Sequence, residues 1–137
     1  MNNQDFQITN IYAPSGKRNI TRNHTFFDNL YPYSNRNYPL ILAGNFNCIK
    51  NPLLDRHPPI KTYPKTQTLI TLTITLTDNL NLHDTYCTLR PNLTMHTHHA
   101  PNSQSRLDRF YVSPTITPQN HKFFPTPSPT TISLRSQ

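Results

Sequence analysis

The sequence predicts an α/β fold, and three observations carry that expectation. The run Leu40-Ile41-Leu42-Ala43 is apolar, short and followed by Gly44, as suits one buried strand that ends in a turn. Two further stretches have strand character: residues 5–14, where Phe6 and Ile8 alternate with polar residues, and residues 105–113, anchored by Leu107, Phe110 and Val112. Between the first two, Ile20, Phe26, Phe27 and Leu30 fall at helical spacing. Strands separated by helical segments read as α/β.

With 137 residues, the chain has room for one domain and a real core. Hydrophobic residues make up only 34%, below the usual globular range. The net charge is +7, which suits a polyanion such as nucleic acid; scattered, solvated lysines and arginines read equally well, because no dense basic run is present. Cys48 and Cys87 make no disulfide framework, so free thiols in a reducing compartment are expected. The amino terminus has no apolar stretch of signal-peptide type, and no run reaches membrane-spanning length. A soluble, intracellular protein with no membrane partner is expected.

In chain order, the first strand ends at Pro14. A turn at residues 15–18 leads to the helix, and a polar loop over residues 31–39 leads to the central strand. At that strand's carboxyl edge Asn45 and Asn47 point to one side and Phe46 to the other. Catalytic groups often occupy such an edge. Residues 66–82 fit two patterns. Residues 72–77 alternate strictly and are β-branched, as in a strand, whereas Leu69, Leu72, Leu76 and Leu80 form a helical stripe. A short strand, a Pro turn and a second strand start are expected over residues 85–94. His96, His98 and His99 could hold a transition metal, but a polar loop with incidental imidazoles is the stronger reading. An aspartate in a buried strand is costly unless paired, which suggests that Asp108 faces a polar site. Residues 114–137 are rich in Pro, Ser and Thr.

Several of these stretches resemble one family. Gly44-Asn45-Phe46-Asn47 closely resembles the Gly-Asp-Phe-Asn signature of the endonuclease/exonuclease/phosphatase superfamily, in particular the abasic-site-type endonucleases of LINE-like retrotransposons. Asn45 stands where that signature has Asp. The segment from Asn10 to Pro14 resembles the family's Asn-x-Tyr-x-Pro strand end, and Ser105-Arg106-Leu107-Asp108-Arg109-Phe110 its Ser-Arg-Leu-Asp-Arg-Phe/Tyr strand. Asn51-Pro52, Asp55-Arg56 and the Leu-x-Leu-x-Asp pattern ending at Asp84 also match.

The resemblance implies a four-layer α/β/β/α sandwich with mixed sheets, of which this chain, as one domain over residues 1–137, would form the second half. It favours a helix over residues 66–82. It implies Mg²⁺-dependent hydrolysis of DNA phosphodiester bonds, a nuclear location and, as partners, DNA and the rest of a retrotransposon polyprotein. It places Tyr12, Asn45, Asn47 and Asp108 in the catalytic centre and Asn10 and Arg106 at the substrate, with no metal ligand retained. The family's terminal Ser-Asp-His triplet is represented only by Ser128-Pro129-Thr130. An amide at position 45 neither takes a proton near neutral pH nor brings negative charge, and loss of a general base typically costs ~10²–10⁴ in rate. A truncated, catalytically impaired copy is therefore expected. The alternatives are a non-catalytic nucleic-acid-binding remnant and a translation product with no biochemical role. Half of such a fold would expose a sheet face and edge, so a marginal or aggregation-prone domain is expected.

The chain has six Asp and no Glu, one Val, three Ala and two Gly. Ala→Thr, Asp→Asn and Glu→Lys all follow from G-to-A change in a gene. The hypothesis is a mobile-element copy altered in that direction; sister copies with Asn at position 45 and no G-to-A excess elsewhere would refute it.

Overall fold

A computed structural model of the protein describes residues 5–15, 20–34, 37–59 and 64–118. The expected turn at residues 15–18 and the terminal segment beyond residue 118 lie largely outside them.

The elements in order are β1 (Gln7–Tyr12), α1 (Ile20–Ser34), β2 (Leu40–Asn45), β3 (Arg56–His57), α2 (Pro64–Asn79), β4 (His83–Asp84), α3 (Thr85–Leu89), β5 (His98–Ala100), β6 (Ser103–Ser105) and β7 (Asp108–Val112). A mixed sheet has the order β1-β2-β7-β4, with β1 parallel to β2 and the other pairs antiparallel. A second, antiparallel sheet has the order β3-β6-β5. Among the described residues, two sheets and three helices make an α/β sandwich arrangement.

The central strand is buried as its apolar run dictates. Leu40 and Leu42 join Ile11, Phe46 and Tyr111 in the core, against Phe27 of α1 and Leu76 of α2. Each such side chain contributes roughly 1.5–3 kcal/mol through burial. The opposite face of the mixed sheet is different. Phe6 and Ile8, the alternating pair of the first strand, are 56% and 64% exposed, and Phe110 is exposed as well. The face buried from β1 belongs instead to Ile11.

Most of the ambiguous stretch over residues 66–82 is helical, within α2, which ends at Asn79, and burial explains the choice. Alternation would have buried positions 72, 74 and 76; α2 buries Ile70, Thr73, Leu76 and Thr77, a 3.6-residue stripe packed on α1. The buried hydroxyls are satisfied within the helix, Thr73 donating to the Leu69 carbonyl and Thr77 to the Ile74 carbonyl.

Three local expectations are corrected. Residues 85–89 are a short helix rather than a strand, because Asp84 caps them by accepting from the Tyr86 and Cys87 amides. The strand over residues 105–113 is interrupted at Arg106 and Leu107, so that Ser105 ends β6 and Asp108 begins β7. His98 and His99 lie on β5, where successive side chains point to opposite faces. The Pro101-Asn102 turn between β5 and β6 closes at the Ala100–Ser103 pair.

Candidate active site

The sheet register brings three residues from distant parts of the chain into one row. Tyr12 ends β1 and pairs with Asn45 at the end of β2; Asn45 pairs with Asp108 at the start of β7. Residues paired across strands share a face, so phenol, amide and carboxylate lie side by side at one edge of the mixed sheet. Tyr12 is 72% exposed. Asn45 and Asp108 are half-buried. Behind the row, Phe46 is buried edge-on against Tyr111, with ring centroids 5.2 Å apart.

The backbone here is shaped by Gly44. Its φ of 131° lies in a region L side chains rarely adopt, and a Cβ would stand 2.1 Å from the Ile11 carbonyl oxygen. Glycine therefore lets β1 and β2 approach closely just before the row. Asn10 Oδ1 would lie 2.8 Å from the same Cβ, so the exposed Asn10 amide lies across Gly44.

Asn47 fixes the turn after the strand. It adopts φ 49°, which asparagine tolerates better than most residues. Its backbone N–H donates to Asn45 Oδ1 at 2.8 Å, and its Nδ2 donates to the Ala13 carbonyl. Asn45 is thus held with its amide oxygen already engaged. Asp108 is held through the backbone: Thr97 Oγ1 accepts from the Leu107 and Asp108 amides, each at 3.1 Å.

Arg106 lies in a different environment. It is buried with Asp55, Asp84 and Arg109 in a quartet of two anions and two cations. Arg106 Nε donates to Asp55 Oδ1 at 2.9 Å and its Nη1 to Asp84 Oδ1 at 3.1 Å. Arg109 Nη2 donates to Asp55 Oδ2 at 2.6 Å, and its Nη1 lies 3.3 Å from Asp84 Oδ2. Asp55 Oδ2 also accepts from the Lys50 and Asn51 amides. Burial opposes ionisation of Asp55, but Arg109, the Asn51 amide and Arg106 outweigh it and hold the carboxyl below the usual aspartate range. Burial opposes the charge of Arg106 too; Asp84 and Asp55 reverse this and raise its pKa. Burial also pushes up the Tyr111 phenol and the Cys48 thiol.

Tyr12, Asn45, Asn47 and Asp108 thus come together, with Asn10 one position pair behind, whereas Arg106 is committed to the quartet. Sequence reasoning singled out Asp108 as the costly strand aspartate. That cost falls instead on Asp55 and Asp84, which it missed as a pair. The signal available was the scarcity of acids: with six in the chain, two arginines three residues apart in an otherwise largely apolar segment needed carboxylate partners from elsewhere.

A family model described as the Endonuclease/Exonuclease/phosphatase family matches residues 8–133. A search of curated proteins finds no match. Members of that family generally depend on a divalent metal. The donors in the row do not fit such an ion. A hard cation takes several oxygens, carboxylates foremost. The row offers one carboxylate, and the Asn45 oxygen already accepts from Asn47. Among the described residues no three His, Cys, Asp or Glu converge. No described helix is long and apolar enough to cross a membrane.

Proposed function

Because the chain belongs to the endonuclease/exonuclease/phosphatase family, we propose that it is a nuclease-like domain of a retrotransposon polyprotein whose hydrolytic step is impaired. Its reaction would be Mg²⁺-dependent hydrolysis of a DNA phosphodiester bond. The observation that supports this reading is the row Tyr12–Asn45–Asp108, which has the ingredients for holding a phosphodiester and lacks one for attacking it. The Tyr12 hydroxyl and the Asn45 amide supply hydrogen-bond donors for phosphate oxygens. Asn47 holds Asn45, Asn10 flanks the row, and Arg106 fixes the chain just ahead of Asp108. Asp108 is the one group in the row able to take a proton. An amide at position 45 removes the second carboxylate and, with it, the charge that would hold a metal ion and orient water.

Nicking of supercoiled plasmid with Mg²⁺ tests the proposal. The parent chain and Asp108→Ala should nick at the same background rate, and Asn45→Asp should exceed both. Parent-chain nicking that Asp108→Ala abolishes would show that the site works as it stands.

A further inference from the structure

Beside the row, a groove of about 740 Å³ runs between the end of β1 and the first turns of α1. Tyr12 and Ser15 form one wall; Arg22, Thr25, Phe26 and Asn29 face them from the helix. Positions 22, 26 and 29 share a helix face, so their place in one groove follows from the helical period. Among the described residues no acid lines the groove. Arg22 is exposed, and the four ion pairs among the described residues all lie within the quartet, none using Arg22. Among the described residues its guanidinium has no ion-pair partner, and it lies next to the most exposed of the row's three side chains.

We propose that this groove is a subsite for a polynucleotide strand, with Arg22 contacting a backbone phosphate next to the one held by the row, and the Tyr12 ring stacking on a base. The assignment rests on the reading of the row as a phosphodiester site. A guanidinium presents paired donors that match phosphate oxygens, and Asn29 and Ser15 add neutral donors for sugar and phosphate. The exposed phenol offers an aromatic face that tolerates any base. The net charge of +7 complements the strand.

Fluorescence anisotropy of a labelled single-stranded DNA oligonucleotide over a salt series tests the subsite without turnover. Arg22→Ala should weaken binding to all sequences alike and flatten the dependence of log K on log salt by about 0.7, the release expected for one phosphate contact on a single strand. Tyr12→Ala should weaken binding roughly tenfold, and Tyr12→Phe should recover the stacking share of that loss while staying weaker than the parent chain, because the ring is kept and the hydroxyl donor is not. Arg90→Ala, outside the groove, should leave the slope unchanged. An unchanged slope in Arg22→Ala, an equal change in Arg90→Ala, or no binding by the parent chain at low salt overturns the subsite. Plasmid nicking by the parent chain that Asp108→Ala abolishes would instead overturn the proposed impairment and leave the Arg22 contact standing.

Discussion

The carboxylate of Asp55 accepts from four donors, two arginine groups and two backbone amides, while almost wholly buried. Removing it leaves Arg109 and Arg106 buried without half of their counter-charge. Asp55→Ala is therefore expected to cost on the order of 3–5 kcal/mol, read from urea unfolding. The acid dependence follows from the lowered pKa of Asp55. Its contribution to stability is fully present above the unfolded aspartate value of about 3.9. It is lost as pH falls through the lower folded value. The thermal midpoint of the parent chain should thus drop more steeply in acid than that of Asp55→Asn. Gly44 is equally intolerant for a steric reason. Gly44→Ala sets a methyl against the Ile11 carbonyl at a φ that alanine resists, and should lower stability by about 1–3 kcal/mol in the same assay.

At the scale of elements, α2 holds together against its own composition. Threonine is a poor helix former, yet the helix persists because one face packs on α1 and the buried hydroxyls return to helix carbonyls. Exposed Thr75 gains nothing from that packing. Thr75→Ala should stabilise the domain by up to ~0.7 kcal/mol, seen as a higher thermal midpoint with unchanged far-ultraviolet dichroism. The same balance explains what was legible in the sequence. The central strand could be read directly, because it combines an apolar run with breakers at its ends; α1 was legible in its Phe26-Phe27-Leu30 face, but the helix runs through Pro32 to Ser34, into the loop expected from residue 31. The conflict in residues 72–77 was settled by a tertiary partner, which no local pattern contains. The short helix α3 escaped because its cap, Asp84, reads as a strand residue until its side chain meets the Tyr86 and Cys87 amides. The row of Tyr12, Asn45 and Asp108 was legible as motifs; that they are neighbours depends on strand register, and the ion quartet depends on pairings up to 54 residues apart.

For the molecule as a whole, the mixed sheet carries helices on one face and leaves Phe6, Ile8 and Phe110 open on the other. Among the described residues β1 is also one of the sheet's two edge strands. An apolar face beside an unpaired strand edge favours association between chains. Sedimentation velocity should show mass increasing with protein concentration. Phe6→Lys combined with Ile8→Lys should suppress this increase while the unfolding midpoint stays nearly constant, since both side chains already face solvent. The alternation that made residues 5–14 readable as a strand could not tell which side of the sheet would be covered.

The ion quartet also bears on how the chain folds in time. Its members sit at positions 55, 84, 106 and 109, so every ion pair in it closes a long loop of chain. A half-assembled quartet would bury a charge with no partner, and a transition state that did so would be penalised. The arginines are thus expected to be seated only as the segments carrying Asp55 and Asp84 arrive together, late on the folding path. Stopped-flow measurements on Asp55→Ala should then show most of the lost stability as faster unfolding, with the refolding rate little changed. The quartet would act as a latch that closes last and sets how long the native state endures.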